Sequence, residues 1–119
     1  MGDRGVIEVR SGSNVPSIYF YTHWEASRLP ELVAKGLEAG RNRWGDVSYL
    51  NRILFDNLTE LSGGETGFGI DLYCPADAWR KVVIDHSENT VQLAESSFGE
   101  EWVATSDPIF FGEFISQHK

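Results

Sequence analysis

The chain has 119 residues, 41% hydrophobic and 13% aromatic, with a single cysteine and a formal net charge of −8. That composition suits one packed domain, residues 1–119, and excludes both an unstructured chain and an internal disulfide, since Cys74 has no second cysteine. The charge excludes the duplex-binding class, which needs cations for phosphates, so direct nucleic-acid contact is not expected.

The charge is uneven. Residues 1–60 carry seven Lys/Arg against eight Asp/Glu, and residues 61–119 carry three against ten. The second half therefore offers an electronegative surface suited to a basic partner. No apolar run approaches the roughly 18 residues that span a bilayer, so no membrane contact is expected. The opening "MGDRGVIEVR" has no apolar signal-peptide core. A reducing cytoplasm, a host's if the protein is viral, is the expected location.

"GVIEVR" alternates, with Ile7 and Val9 on one face and Glu8 and Arg10 on the other, and reads as a strand. "SGSNVP" is a turn cluster. "SIYFYTHW" is a second strand, with Ile18, Phe20 and Thr22 opposite Tyr19, Tyr21 and His23. Pro30 fits the first turn of a helix whose stripe is Leu29, Leu32, Val33 and Leu37 and whose stop is Gly40. Asp46 is the expected N-cap of a second helix, with Val47, Leu50, Ile53, Leu54, Leu58 and Leu61 at helical spacing. "TGFGIDLYC" returns to a period of two, which predicts Phe68, Ile70, Leu72 and Cys74 inward and Gly67, Gly69, Asp71 and Tyr73 outward. Glycines at alternate positions suggest a close approach to that outer face.

"KVVIDHSENTVQL" predicts a hairpin that turns around His86 to Asn89. "EEWVAT" adds a further strand, and "DPIFFGEFISQH" a short helix begun by Asp107 and Pro108 and weakened by Gly112. The expected fold is α+β: an antiparallel sheet in ββαα-βββ order, two helices on one face, and a short C-terminal helix.

No P-loop, HExxH, GxSxG or Cys-x-x-Cys run occurs, and "GGETGFG" lacks dinucleotide-binding spacing. His23, His86 and His118 lie far apart, without the spacing of a zinc pair, so neither metal nor cofactor is expected. A Cys74–His nucleophile pair is one enzymatic reading, but Cys74 falls on the apolar face of its strand, where a buried inert thiol is expected. A hydrolase using His23 with Glu25 or Glu65 as acid and base is another, with no recognisable nucleophile or metal set behind it. The chain thus reads as non-enzymatic.

The remaining concentration of chemistry is in two loops. His23 and Trp24 close the second strand. "GRNRWGD" carries Arg41, Arg43 and Trp44 to the start of the second helix, with Arg52 about two turns in. Guanidinium groups bind oxyanions bidentately, and indoles offer a stacking plane. The same residues also suit plain packing, and Arg43 and Arg52 have Asp46, Asp56 and Glu65 as internal partners.

The stretch "YFYTHWEASRLPELVAKGLEAGRNRWGDVSYLNRILFDNL" followed by "ETGFGID" resembles a family of small, largely uncharacterised proteins of phages, prophages and bacterial genomes. The shared pattern is a strand ending in Tyr21–Trp24, the Arg-Trp-x-Asp-x-x-Tyr-Leu-x-Arg run of Arg43–Arg52, and the strand of Glu65–Ile70. It spans roughly residues 17–72. With Glu65 and Thr66 from that run, the candidate ligand-binding set is His23, Trp24, Arg41, Arg43, Trp44, Arg52, Glu65 and Thr66.

The resemblance implies a phage or mobile-element setting. There, small proteins counter host defence by sequestering a nucleotide signal or by covering a defence protein. Two functions follow as expectations. One is a pocket, completed by homo-oligomerisation, that sequesters a small anionic ligand such as a nucleotide. The other is an acidic inhibitor, a possible nucleic-acid mimic, that docks on a basic host protein.

Overall fold

A computed structural model describes residues 2–61, 63–64, 67–96 and 101–118. The first two strands, β1 (Gly5–Arg10) and β2 (Ile18–Thr22), pair antiparallel with Ile7 opposite Phe20. Their alternation sends Ile7, Val9 and Phe20 to one face, where all three are buried. After a 3-10 turn (Ala26–Arg28), α1 (Leu29–Ala39) carries Pro30 in its first turn and buries Leu29, Leu32, Val33 and Leu37. A second 3-10 turn, Arg41–Arg43, leads to α2 (Val47–Leu61). Asp46 directly precedes it, and its carbonyl accepts the Leu50 N–H.

Helix α2 buries Leu50, Leu54 and Leu58, spaced by four so that they form one ridge. Two glycines let α1 meet that ridge closely. A Cβ on Gly36 would come 2.9 Å from Leu54 Cδ2, and one on Gly40 would come 2.5 Å from Leu50 Cδ1.

The second half adds β3 (Phe68–Asp71), β4 (Arg80–Asp85), β5 (Thr90–Glu95), β6 (Val103–Ala104), β7 (Ile109–Phe110) and α3 (Phe111–Gln117). The sheet runs β3-β2-β1-β4-β5-β6, with β7 also on β5. The architecture is the expected α+β one, with a correction to the all-antiparallel expectation: β1 and β4 pair in parallel, Gly5 beside Arg80. The chain fills the far side of β1 with β2 and β3, then returns to start β4 at the same end as β1. A buried cluster joins Ile7, Val9, Phe20, Val82, Ile84 and Val91 of the sheet to residues of all three helices. The helices therefore share one face, and none is long and apolar enough to cross a membrane.

Three local expectations are corrected. Ile70 and Leu72, expected inward, are exposed: among the described residues β3 is the outermost strand with a neighbour on one side only, and Leu72 lies just past its end. Gly69 has nothing within 4 Å of where a Cβ would sit, so the predicted close approach at that glycine is absent. Asp107 and Pro108 do not begin the last helix: Ile109 and Phe110 first pair with Val91 and Thr90, and α3 starts at Phe111. The hairpin turn at His86–Asn89 is as expected, with Asn89 in the left-handed region at φ 56°.

Candidate functional site

The two loops that carry the sequence-predicted residues lie at opposite ends of the sheet. Thr22 pairs with Gly5, so His23 and Trp24 leave β2 at the Gly5 end. There the Ala26 N–H donates to the Asp3 carbonyl, and the Asp3 carboxylate accepts from the Ser27 N–H and the Trp79 indole, each at 2.7 Å. His23 lies 5.1 Å from the Tyr21 ring and 6.0 Å from that of Trp24, which is 56% exposed.

Trp44 lies at the Arg10 end. Its ring meets Phe111 edge-on at 5.3 Å, Phe111 lies 6.4 Å from His86, and the His86 N–H donates to the Arg10 carbonyl. A six-residue strand separates these ends, which at about 3.3 Å per residue is roughly 16 Å before side chains are counted. The candidate set is therefore not one site: Trp24 with His23, and Trp44 with Arg41 and Arg43, are two separate groups. Trp44 is a packing residue, since its indole N–H donates to the Leu37 carbonyl at 3.0 Å and its ring joins the core. Glu65 and Thr66 lie outside the described residues.

The arginines are also engaged. Arg41 pairs with Glu38 at 2.6 Å while lying over Trp44, Arg43 pairs with Asp46 at 3.5 Å over Tyr49, and Arg52 pairs with Asp56 at 3.5 Å. Arg4, Arg10, Arg28 and Arg80 have Asp77, Glu8, Glu25 and Glu95. Every arginine of the chain thus has a carboxylate within 3.6 Å. Among the described residues Asp3, Glu31, Glu60, Asp71, Asp85, Glu88, Glu101, Asp107 and Glu113 form no ion pair, and six of these nine lie after residue 61. The negative charge of those six residues is therefore uncompensated by an ion pair among the described residues.

Sequence reading missed a polar cluster on the helix-free face. Glu8 is buried there between β2 and β4. Its Oε2 accepts from Arg10 Nε at 2.8 Å and Ser17 Oγ at 2.9 Å, and its Oε1 faces Lys81 Nζ at 3.1 Å. Lys81 in turn lies under the Trp102 ring at 4.9 Å. Burial alone would raise the Glu8 carboxyl, and the three donors with the Lys81 charge outweigh it, holding its pKa below the ordinary glutamate value.

Cys74 sits beside this cluster, half-buried. Burial pushes its thiol up, against the opposing pull of Lys81 and a Trp102 hydrogen bond, so it is not an activated nucleophile. The alternation of Glu8 and Arg10 signalled that both leave the core. What it lacked was the register that brings Lys81 and Trp102 to Glu8 from 73 and more residues away.

The third feature is the outer edge of the sheet. Among the described residues no strand pairs with the outer side of β3. Ile70, Leu72 and Tyr73 stand there 60%, 66% and 78% exposed. On the helix-free side Gly69 lies beside Tyr21 and Asp71 beside Tyr19, which leaves two phenol rings flanked by a bare glycine and a carboxylate. Asp71 Oδ1 accepts from the N–H groups of Leu72 (2.6 Å) and Tyr73 (3.3 Å), which fixes the chain as it leaves the strand.

Among the described residues no group of three or more His, Cys, Asp or Glu side chains converges to hold a metal ion. Comparisons with protein-family models, with curated proteins and with solved structures found no match to this chain.

Proposed function

We infer that the protein is an acidic docking module that binds a basic protein surface, a bacterial host protein being the partner class that the phage-family resemblance implies. One observation carries this reading. Each arginine is covered by a carboxylate of its own chain, while Asp71, Asp85, Glu88, Glu101, Asp107 and Glu113 of the second half form no ion pair among the described residues, so the charge left for a partner is negative. Such a field speeds encounter with a basic surface and rejects anionic ones. The exposed apolar side chains at the β3 edge supply the contact area that charge alone does not.

The test is capture from bacterial lysate on immobilised protein, with partners identified by mass spectrometry. At about 0.01 M salt the screening length is about 30 Å, and at 1 M it is about 3 Å. Basic proteins retained at the low salt and released at the high salt support the reading. Retention of nothing, or retention indifferent to salt, refutes it.

A small anionic ligand is favoured by one observation of its own. Lys35 is the only lysine or arginine among the described residues without a carboxylate partner in an ion pair, and it lines a groove of ≈ 480 Å³ with Ala34, Glu38, Ala39, Ile115 and His118. This groove lies between α1 and α3, and the residues that sequence reading selected do not line it, although Arg41 pairs with its Glu38. Calorimetric titration with a panel of cyclic and ADP-ribose-like nucleotides tests it. Heat that disappears in Lys35→Ala supports the groove, and no heat with the wild type ends the ligand reading.

A further inference from the structure

An outermost strand leaves alternate N–H and C=O groups unpaired, and natural proteins blunt such edges with charge, proline or a covering loop. Among the described residues β3 carries one charge, Asp71, and Ile70 in the strand and Leu72 and Tyr73 just after it are exposed to solvent. Its two sides differ in chemistry. The helix side offers Ile70 as an apolar contact. The helix-free side offers Tyr21 behind the bare Gly69 and Tyr19 behind Asp71, an aromatic and acidic shelf on which Asp71 forms no ion pair among the described residues. Asp77, hydrogen-bonded by the Tyr21 hydroxyl and paired with Arg4, adds a second carboxylate nearby.

We propose that an extended segment of a partner protein, alternating apolar and basic residues, adds to the outer edge of β3 as an eighth strand. Main-chain hydrogen bonds give the strand addition, and alternate side chains read the two sides. Apolar residues pack on Ile70. A Lys or Arg opposite Gly69 reaches across the missing side chain to the face of Tyr21, where a cation is attracted to the ring and to the neighbouring carboxylates. A second copy of this chain is the poorer occupant, because two molecules of charge −8 repel and each brings its own Asp71. The inference rests on the docking reading above and adds where the partner binds and what it looks like.

The test uses three fluorescein-labelled, capped octapeptides: alternating Val and Lys, the same residues as a Val block followed by a Lys block, and alternating Val and Glu. Anisotropy is followed at low salt with the full-length protein. The alternating Val/Lys peptide is expected to bind at least about tenfold more tightly than either of the others. Ile70→Lys and Gly69→Val are each expected to weaken it by about tenfold or more, while Phe110→Ala at the opposite edge changes it less than about twofold. Gly69→Val fills open space, so it keeps the fold while closing the path to Tyr21 and decides the matter if Ile70→Lys unfolds.

Equal binding of the alternating and block peptides, or indifference to Gly69→Val, overturns the proposal. So does a wild-type dimer in sedimentation that Gly69→Val dissociates, since the edge then holds a second copy. Salt-dependent capture of a basic protein that persists in Gly69→Val, with no peptide binding, overturns the edge site and leaves the docking function standing.

Discussion

Replacing Glu8 by leucine isolates what the buried cluster contributes. The Lys81 side chain is 12% exposed and Glu8 is 8% exposed, so removing the carboxylate strands an ammonium group out of water with only the Trp102 ring for compensation. Arg10, about half exposed, turns to solvent at little cost. Removing one partner of a buried pair costs about 3–5 kcal/mol. With about 2.1 cal/mol/K of unfolding entropy per residue, a chain of 119 residues has about 0.25 kcal/mol/K, so Tm falls by roughly 12–20 °C. Glu8→Leu combined with Lys81→Met removes both charges and is expected to recover most of that loss.

Calorimetry of the wild type, both single variants and the double variant at pH 7 closes the cycle. The pH dependence has a defined sign. The folded pKa of Glu8 lies below its ordinary 4.5, so its contribution is complete above about that pH and is lost as the pH falls through the lower folded value. Glu8→Gln and the wild type should therefore converge in acid. A single-variant loss below about 1 kcal/mol, or a double variant as unstable as the two singles added, refutes this account of the cluster.

Gly40→Ala drives a methyl group into Leu50 across the α1–α2 contact, and denaturant titration should show a loss of about 1–3 kcal/mol. His86 is buried, with Nε2–H donating to Asn51 Oδ1 at 2.7 Å, and burial lowers its pKa below the ordinary 6.5. The folded state therefore keeps His86 neutral. Wild-type stability should begin to fall as the pH drops below about 6.5, and His86→Gln should flatten that limb of the curve. Trp24→Ala should change stability by less than about 0.5 kcal/mol and Trp44→Ala by about 3 kcal/mol, with the double variant additive within about 0.5 kcal/mol. A coupling above about 1 kcal/mol would show that the two indoles communicate after all.

What could be read in advance was what periodicity encodes. Ile7, Val9 and Phe20 alternate, and Leu50, Leu54 and Leu58 recur at four, so the opening hairpin, both long helices and the β4–β5 hairpin follow from local pattern. Pairing between distant strands does not follow from local pattern. The parallel union of β1 with β4 decides that Glu8 meets Lys81, and no spacing within either strand announces it. Ile70 and Leu72 alternate just as buried residues do. They are exposed, and among the described residues β3 ends the sheet, which is a property of strand order. The grouping of Trp24 with Trp44 failed for a similar reason. They are close in sequence, but α1 carries the chain the length of the sheet between them, 11 residues at about 1.5 Å each.

The separation of those loops also bears on how the chain uses its cations. Four of the seven arginines pair within one helical turn: Arg28 with Glu25, Arg41 with Glu38, Arg43 with Asp46, and Arg52 with Asp56. Exposed pairs at this spacing add only about 0.3–0.5 kcal/mol each, so they contribute little to stability. Their larger effect is on the outside field. A guanidinium held by its neighbour is not offered to phosphate, and an arginine-rich loop that reads as an anion site becomes electrically neutral once it folds. The same accounting leaves the acids of β3 and of the β4–α3 region to set the sign of the surface, with Ile70 and Leu72 as the apolar ground beside them. A partner that matches this arrangement brings cations and an extended backbone together, so in the proposed complex charge and strand addition act as one interaction.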